Sequence, residues 1–399
     1  MTAARTCVAT ACLGVAAIAG MSRAQAPRVA RDSGIAPGVT WRHLEVPAGP
    51  WVINVVSVDL RRCGCELLHV RAKDSLVARE KVSAMVARQP DAARVLAAIN
   101  ADFFDVRTGE NENNQVIGGE WWKGVRVADS PYDAFDNPHV HFAIGADGKP
   151  RMDRYLFDGS VLHEAGPFPL TALNFLPRGT PEAAVLYTPR YGTTPRDTVR
   201  RMAEVALRKI GGRGDTSVYL STGAAVKSGG NAVPADGAVL AAYGPRAAKL
   251  TSFVPGDTVR VVLRAESISG REVLASPRLI VGGWPRILAN GVNVASRAPW
   301  DEGTLSSNAE AAHPRSAIGF SRDSATVYLA TVDGRSENSG GMTLVQLAEF
   351  LRGQGGWNAL NFDGGGSSTL VVRGRVVNAP SDREGERGVG NAIVIRVRP

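Results

Sequence analysis

Asp363 is followed by Gly364, Gly365 and Gly366, and then by Ser367, Ser368 and Thr369. A carboxylate next to three glycines is a unit that could do chemistry. Glycine reaches backbone conformations closed to other residues and lets a ligand approach the main chain, and consecutive free N–H groups can form an anion-binding nest. The run therefore predicts a carboxylate beside an oxyanion cradle, and it also fits a wide turn between two buried strands. It is not a P-loop, because no Lys follows the glycines, and not a nucleophile elbow, because the residues around Ser367 lack the second glycine of G-x-S-x-G.

A second Asn-x-Asp occurs upstream, where Asn100-Ala101-Asp102 echoes Asn361-Phe362-Asp363. Residues two apart in a strand share a face, so each Asn points the same way as its Asp. The echo predicts that carboxylates from two equivalent strand ends meet in one cleft; coincidence between two helix-strand units would give the same pattern. A polar loop, Glu110 to Gln115, precedes Glu120, Trp121 and Trp122. Aromatic faces stack on sugar rings, which makes Glu120 and Trp121 a candidate sugar-binding rim, although tryptophans are more often core. His139 and His141 share a strand face and suit a metal, but no third ligand declares itself. The metal is therefore unassigned: the sequence requires no cofactor and is compatible with a divalent cation.

The elements that must position these groups are readable in outline. Thr343 and Gln346 have the spacing of a capping box, and Leu344, Leu347, Ala348 and Leu351 fall on one helical face. Gly353, Gly355 and Gly356 stop that helix, and Trp357 to Phe362 reads as a buried strand that delivers Asp363. The same plan appears from Val82, with a short helix ended by Pro90 and then Ala92 to Ile99. This second stretch is helical by propensity and a strand by context. Trp51 to Leu60 reads as a strand, Ser316–Ser321 and Thr326–Val332 as a hairpin, and Arg200 to Ile210 gives mixed signals. The fold class expected is α+β, with mixed and antiparallel sheets packed on a few helices, a two-half pseudo-repeat, and a β-rich middle block over residues 170–262.

The chain has 399 residues, 44% hydrophobic and 21% charged, enough for one large domain or two smaller ones. Arg5 precedes an apolar run from Cys7 to Gly20, and Ala24-Gln25-Ala26 has the small residues of a secretory cleavage site. Residues 1–26 are expected to be a signal peptide, residues 27–91 strands and a short helix leading in, and residues 92–398 the main domain. No transmembrane segment is expected in the mature chain, which places it in the periplasm or outside the cell. Cys63 and Cys65 could pair in an oxidising compartment across a tight ring. The formal charge of +8 suits an anionic partner such as a phosphorylated glycan. No basic run is interleaved with aromatics, so nucleic acid is not an expected partner.

Three stretches together resemble the phosphodiester glycosidase family: His313-Pro314-Arg315-Ser316-Ala317-Ile318-Gly319, Thr331-Val332-Asp333-Gly334-Arg335, and Leu360 to Thr369. Asn100-Ala101-Asp102-Phe103-Phe104 is similar to that family's earlier Asn-containing strand, and Leu186 to Gly192 looks like a bacterial exported branch. Ser316 stands where Thr is usual, Phe362 where Leu is usual, and Asp102 where a small residue is expected. The resemblance implies a mixed α+β fold and hydrolysis of the glycosidic C–O bond of a sugar 1-phosphodiester, giving free sugar and a phosphomonoester. It implies catalytic roles for Asp363, then Asp333, with Asn100 in the site. Arg315, Arg335, Gly364, Gly365, Gly366 and Ser367 would hold phosphate. Two readings of other classes stay open: a noncatalytic glycan-binding protein of the envelope, and a metal-dependent phosphodiesterase that breaks P–O.

Overall fold

The computed structural model describes residues 28–128, 130, 133–177 and 179–398. The expected signal peptide, residues 1–26, lies outside the described residues. Helices are few and short, so the architecture is more β than the expected α+β, although its sheets are mixed and antiparallel as expected. The reason is local: most of the chain alternates or is continuously apolar over four to ten residues between glycine-rich turns, which favours strands over helical turns.

Four sheets are formed among the described residues. An eight-stranded sheet, the large sheet of the site, runs in spatial order Arg28–Ala36, Val39–Val46, Trp51–Asp59, Thr326–Val332, Arg315–Phe320, Asn358–Phe362, Arg286–Ala289 and Val292–Asn293. A five-stranded sheet contains Leu370–Val372, Val95–Asn100, Asn391–Val397 and Cys65–Arg71 among its members. A second five-stranded sheet holds Glu120–Lys123, Gln115–Ile117, Leu279–Gly283, Val140–Ile144 and Pro150–Asp153. The β-rich middle forms a nine-stranded sheet, whose strands run from Tyr155 to Ala275.

One core joins three of these sheets. Val56, Ile318, Leu360 and Phe362 meet Leu96, Ile99 and Ile393 of the neighbouring sheet and Phe142 and Val281 of the third. A second core packs Val116, Trp121 and Ile280 against the middle sheet, including Phe157, Leu186 and Leu240. Strand Tyr155–Leu162 alternates in burial, which places Tyr155, Phe157 and Val161 inward.

The two helix-strand units are both present. Helix Leu344–Gly353 begins with the expected capping box: the Gln346 amide donates to Thr343 Oγ1 and the Thr343 amide to Gln346 Oε1. Its Leu344, Leu347, Ala348 and Leu351 are buried on the large sheet. Upstream, helix Val82–Ala87 covers its own sheet through Val82, Met85 and Val86. Residues Ala92–Arg94 make one 3₁₀ turn, and Val95–Asn100 is a strand, so context overrides alanine propensity there. Of the stretch Arg200 to Ile210, the residues from Met202 onward are strand, part of Met202–Arg213. Cys63 and Cys65 form a disulfide.

Candidate active site

The ends of the two equivalent strands meet. The Asp363 amide donates to the Ala101 carbonyl at 2.9 Å, and Asn100 Nδ2 donates to the Asp363 carbonyl at 2.7 Å. Antiparallel register pairs Arg315 with Val332 and Ser316 with Phe362. Asp333 and Asp363 therefore emerge one residue further on, at the same end of the large sheet, on strands either side of Arg315.

Asp363 is half-buried. Loss of water around it pushes its carboxyl up to about 6, and the nearby Asp102 charge adds to this. The Ser367 hydroxyl, the Arg387 charge and the Gly364 amide oppose the shift. Asp333 is buried, and burial holds its carboxyl at about 6 as well. Its Oδ1 accepts from the Ala379 amide at 3.1 Å, so it anchors the C-terminal loop over the site. Asn100 makes three side-chain bonds: Oδ1 accepts from Ser316 Oγ at 2.7 Å and from the Thr369 amide at 3.0 Å, besides the bond from Nδ2. It ties strands of both sheets to the start of the glycine turn.

Three expectations are corrected. Arg315 is not free for phosphate: Nε donates to the Met342 carbonyl, Nη1 to Asn308 Oδ1, and Nη2 to the carbonyls of Asn308 and Ala311. Its place inside a strand buries the fork and gives it backbone partners. Nor are all the amides of the glycine turn open. The Gly365 amide donates to Pro314, Ser367 to Gly364, Ser368 to Gly365, and Thr369 to Asn100. These bonds, with a 3₁₀ turn over Gly365–Ser367, commit four of the amides that a nest would offer, while the Gly364 amide bonds the Asp363 carboxyl. Glycine is needed at 366 because a Cβ there would collide with Asp382 and Arg387, and at 365 because φ is +59°. Trp121 is the third correction: it is buried with its ring edge against Phe157, in the core rather than on a rim. Glu120 is exposed and pairs with Arg190, which lies over Trp122.

Arg335 remains available. It is exposed, has a left-handed backbone with φ +61°, and its guanidinium lies over Gly365. Sequence reasoning missed Arg387, which holds Asp382 through two bonds of 2.7 and 2.8 Å and sits beside Ser367 and Asp363. The run Ser381-Asp382-Arg383-Glu384 carries no periodicity, so only the fold brings it to the glycines.

Asp363 also lies within reach of a cluster of acids, Asp102, Glu112 and Asp133. Asp102 is buried and held by the Asn113 amide and side chain at 3.2 and 2.7 Å; burial pushes it up to about 6. Glu112 is pushed up to about 8, by burial first and then by the charge of Asp102. Asp133 pairs with His139 at 2.8 Å, and His139 stacks on Trp284. His139 and His141 therefore do not converge as a metal pair: His141 Nε2 accepts from the Asn114 amide, and burial keeps its ring neutral. Among the described residues, one group of three ligand types brings its atoms within 4.8 Å: His163, Glu164 and Asp257, at the middle sheet.

Comparison with known proteins agrees with the motifs. Residues 212–396 match the family model described as phosphodiester glycosidase. A prophage-derived uncharacterized protein of Bacillus subtilis is 32% identical over 211 residues, which is 51% of this chain and 30% of that protein. The N-acetylglucosamine-1-phosphodiester alpha-N-acetylglucosaminidase of Mus musculus is 34% identical over 110 residues, 26% of this chain and 21% of that protein. The matches thus span less than a third of the length of these curated relatives. A hypothetical protein from Synechocystis shares the fold, with a TM-score of 0.71 at 21% identity over 94% of this chain and 65% of that one. No described helix is long and apolar enough to cross a membrane. Over residues 212–396, in which Asp333, Arg335 and Asp363 all fall, this chain carries a domain of the phosphodiester glycosidase family.

Proposed function

We propose that this protein is an exported hydrolase that cleaves the glycosidic C–O bond of a sugar 1-phosphodiester, releasing free sugar and a phosphomonoester. The observation that carries this reading is the placement of Asp363 beside Arg387 and Asp102, at the start of the glycine turn over which Arg335 lies, inside the segment that matches the family. A phosphodiester leaves more readily than an alcohol, so the departing oxygen needs less help from an acid, while its charge needs donors. Arg335, exposed and bonded by Nη1 to Ser381 Oγ at 3.5 Å, offers its guanidinium to two phosphate oxygens, and Arg387 adds positive charge at the same glycine turn.

Asp363 then faces the anomeric carbon. A carboxylate there can stabilise the oxocarbenium-like centre, attack it, or activate water, and each role needs the ionised form. Activity should therefore rise with pH through about 6, where the carboxyl ionises. Asn100 and Asp333 act as positioning residues, the first by fixing the Asp363 backbone and the second by anchoring the loop that carries Arg387. The Arg5 and Cys7-to-Gly20 leader pattern supports export.

Hydrolysis in ¹⁸O-labelled water tests the bond that breaks. Attack at the anomeric carbon puts the label in the released sugar. Label in the phosphomonoester would mean P–O cleavage, and the phosphodiesterase reading would replace this one. Asp363→Asn keeps shape and removes charge, and should lower kcat by at least about a hundredfold with the fold intact.

A further inference from the structure

We propose that the wall of Asp102, Glu112 and Asp133 beside Asp363 recognises a protonated amine on the sugar, so that the preferred substrate is the 1-phosphodiester of an amino sugar with its amine free rather than acylated. This rests on the phosphodiester glycosidase reading and adds the class of sugar.

The wall is continuous in hydrogen bonds. The Asp363 amide is held by Ala101, the Glu112 amide donates to the Phe103 carbonyl at 3.0 Å, and Asp102 between them is held by Asn113. The Glu112 carboxyl bonds Ser130, whose carbonyl accepts the Asp133 amide at 3.3 Å. Asp133 Oδ2 is taken by His139 and by Asn137 Nδ2. Two oxygens are left over. Glu112 Oε2 and Asp133 Oδ1 are both buried without a donor, and the Asp133 side chain is only 1% exposed.

Buried acceptors without donors point to a ligand that brings them. An ammonium carries three N–H donors and a charge, and its bonds to carboxylates are charge-assisted. A sugar hydroxyl brings one donor and no charge. An acetamido group brings one donor and a carbonyl that would face the carboxylates. Lys123 is committed to Glu110 at 2.8 Å and to the Asn111 carbonyl at 2.5 Å, Arg387 to Asp382, and Arg71 gives Nε and Nη2 to the Ser75 and Leu76 carbonyls and its charge to Asp102, so none of them donates to Glu112 Oε2 or Asp133 Oδ1. Of the three acids, Glu112 alone lines the neighbouring cavity of about 750 Å³, together with Phe104, Asn111, Phe175 and Tyr191. The polarity suits the reaction: phosphate lies toward Arg335 and Arg387, and the sugar toward the acids.

The test compares kcat/KM for the methyl phosphodiesters of α-D-glucosamine 1-phosphate and of its N-acetylated counterpart. The free amine should be favoured at least tenfold by the wild-type protein. Glu112→Gln and Asp133→Asn should each cut that advantage to threefold or less. Equal rates, a preference for the N-acetyl form, or an advantage that both variants retain would overturn this proposal and leave the glycosidase reading standing. Hydrolysis of neither compound would overturn both. The wild-type ratio decides even if a variant fails to fold.

Discussion

Two arginines that look alike in the sequence do different work. Arg315 gives its whole fork to Asn308, Ala311 and Met342, so Lys at that position leaves buried carbonyls without donors. Arg315→Lys should destabilise the protein by about 2 kcal/mol, read as a lower midpoint in urea. Arg335 is open to solvent over the glycine turn. Arg335→Lys should leave the midpoint unchanged and lower kcat/KM about tenfold, since a point charge cannot copy a bidentate grip. Glu112 provides a pH test of the acidic wall. Its folded pKa of about 8 lies above the ordinary 4.5, so its favourable contribution is full below 4.5 and is lost as pH rises through 8. Glu112→Gln should therefore gain thermal stability over wild type at pH 9 relative to pH 5, as followed by calorimetry; a constant difference across that range would contradict the shift.

At the scale of elements, the glycine turn is shaped by its neighbours. Gly364 lies against the Pro314 carbonyl, Gly365 beneath Arg335, and Gly366 beneath the Asp382–Arg387 pair. Gly366→Ala would push that pair off the turn and remove a positive group from beside Asp363. Folding should survive, because the strand Asn358–Phe362 and its hydrophobic contacts are untouched. The expected result is a fall in kcat/KM of about tenfold or more with an unchanged urea slope. Wild-type kinetics would mean that the Arg387 loop takes no part.

Across the whole molecule, two sheets must meet for the site to exist, and Asn100 is the joint. It reaches from strand Val95–Asn100 to Ser316 and Asp363 of the large sheet and to Thr369 beyond the turn. Three hydrogen bonds at about 1 kcal/mol each make Asn100→Ala worth about 3 kcal/mol of stability, measurable by denaturant unfolding. The same change should also loosen Asp363 and lower kcat. A variant with full activity would show that the joint is dispensable.

The sequence determined the local units of this protein. The capping box at Thr343, the strand ending at Asp363, the hairpin of residues 315–332 and the echo between Asn100-Ala101-Asp102 and Asn361-Phe362-Asp363 all follow from periodicity and short-range hydrogen bonding, which depend on neighbours in the chain. Tertiary structure decided what those units face. Arg315 lost its phosphate role because its strand is central and its fork finds backbone carbonyls, and Trp121 became core because its sheet packs on Phe157. The Gly365 amide went to the Pro314 carbonyl rather than to an open cradle. Arg387 joined Asp363 across 24 positions of sequence, and Glu112 across a far longer stretch, without any local pattern to announce either. Local sequence fixes which backbone bonds can form, whereas the partners of a charged side chain depend on which distant strands share its sheet end.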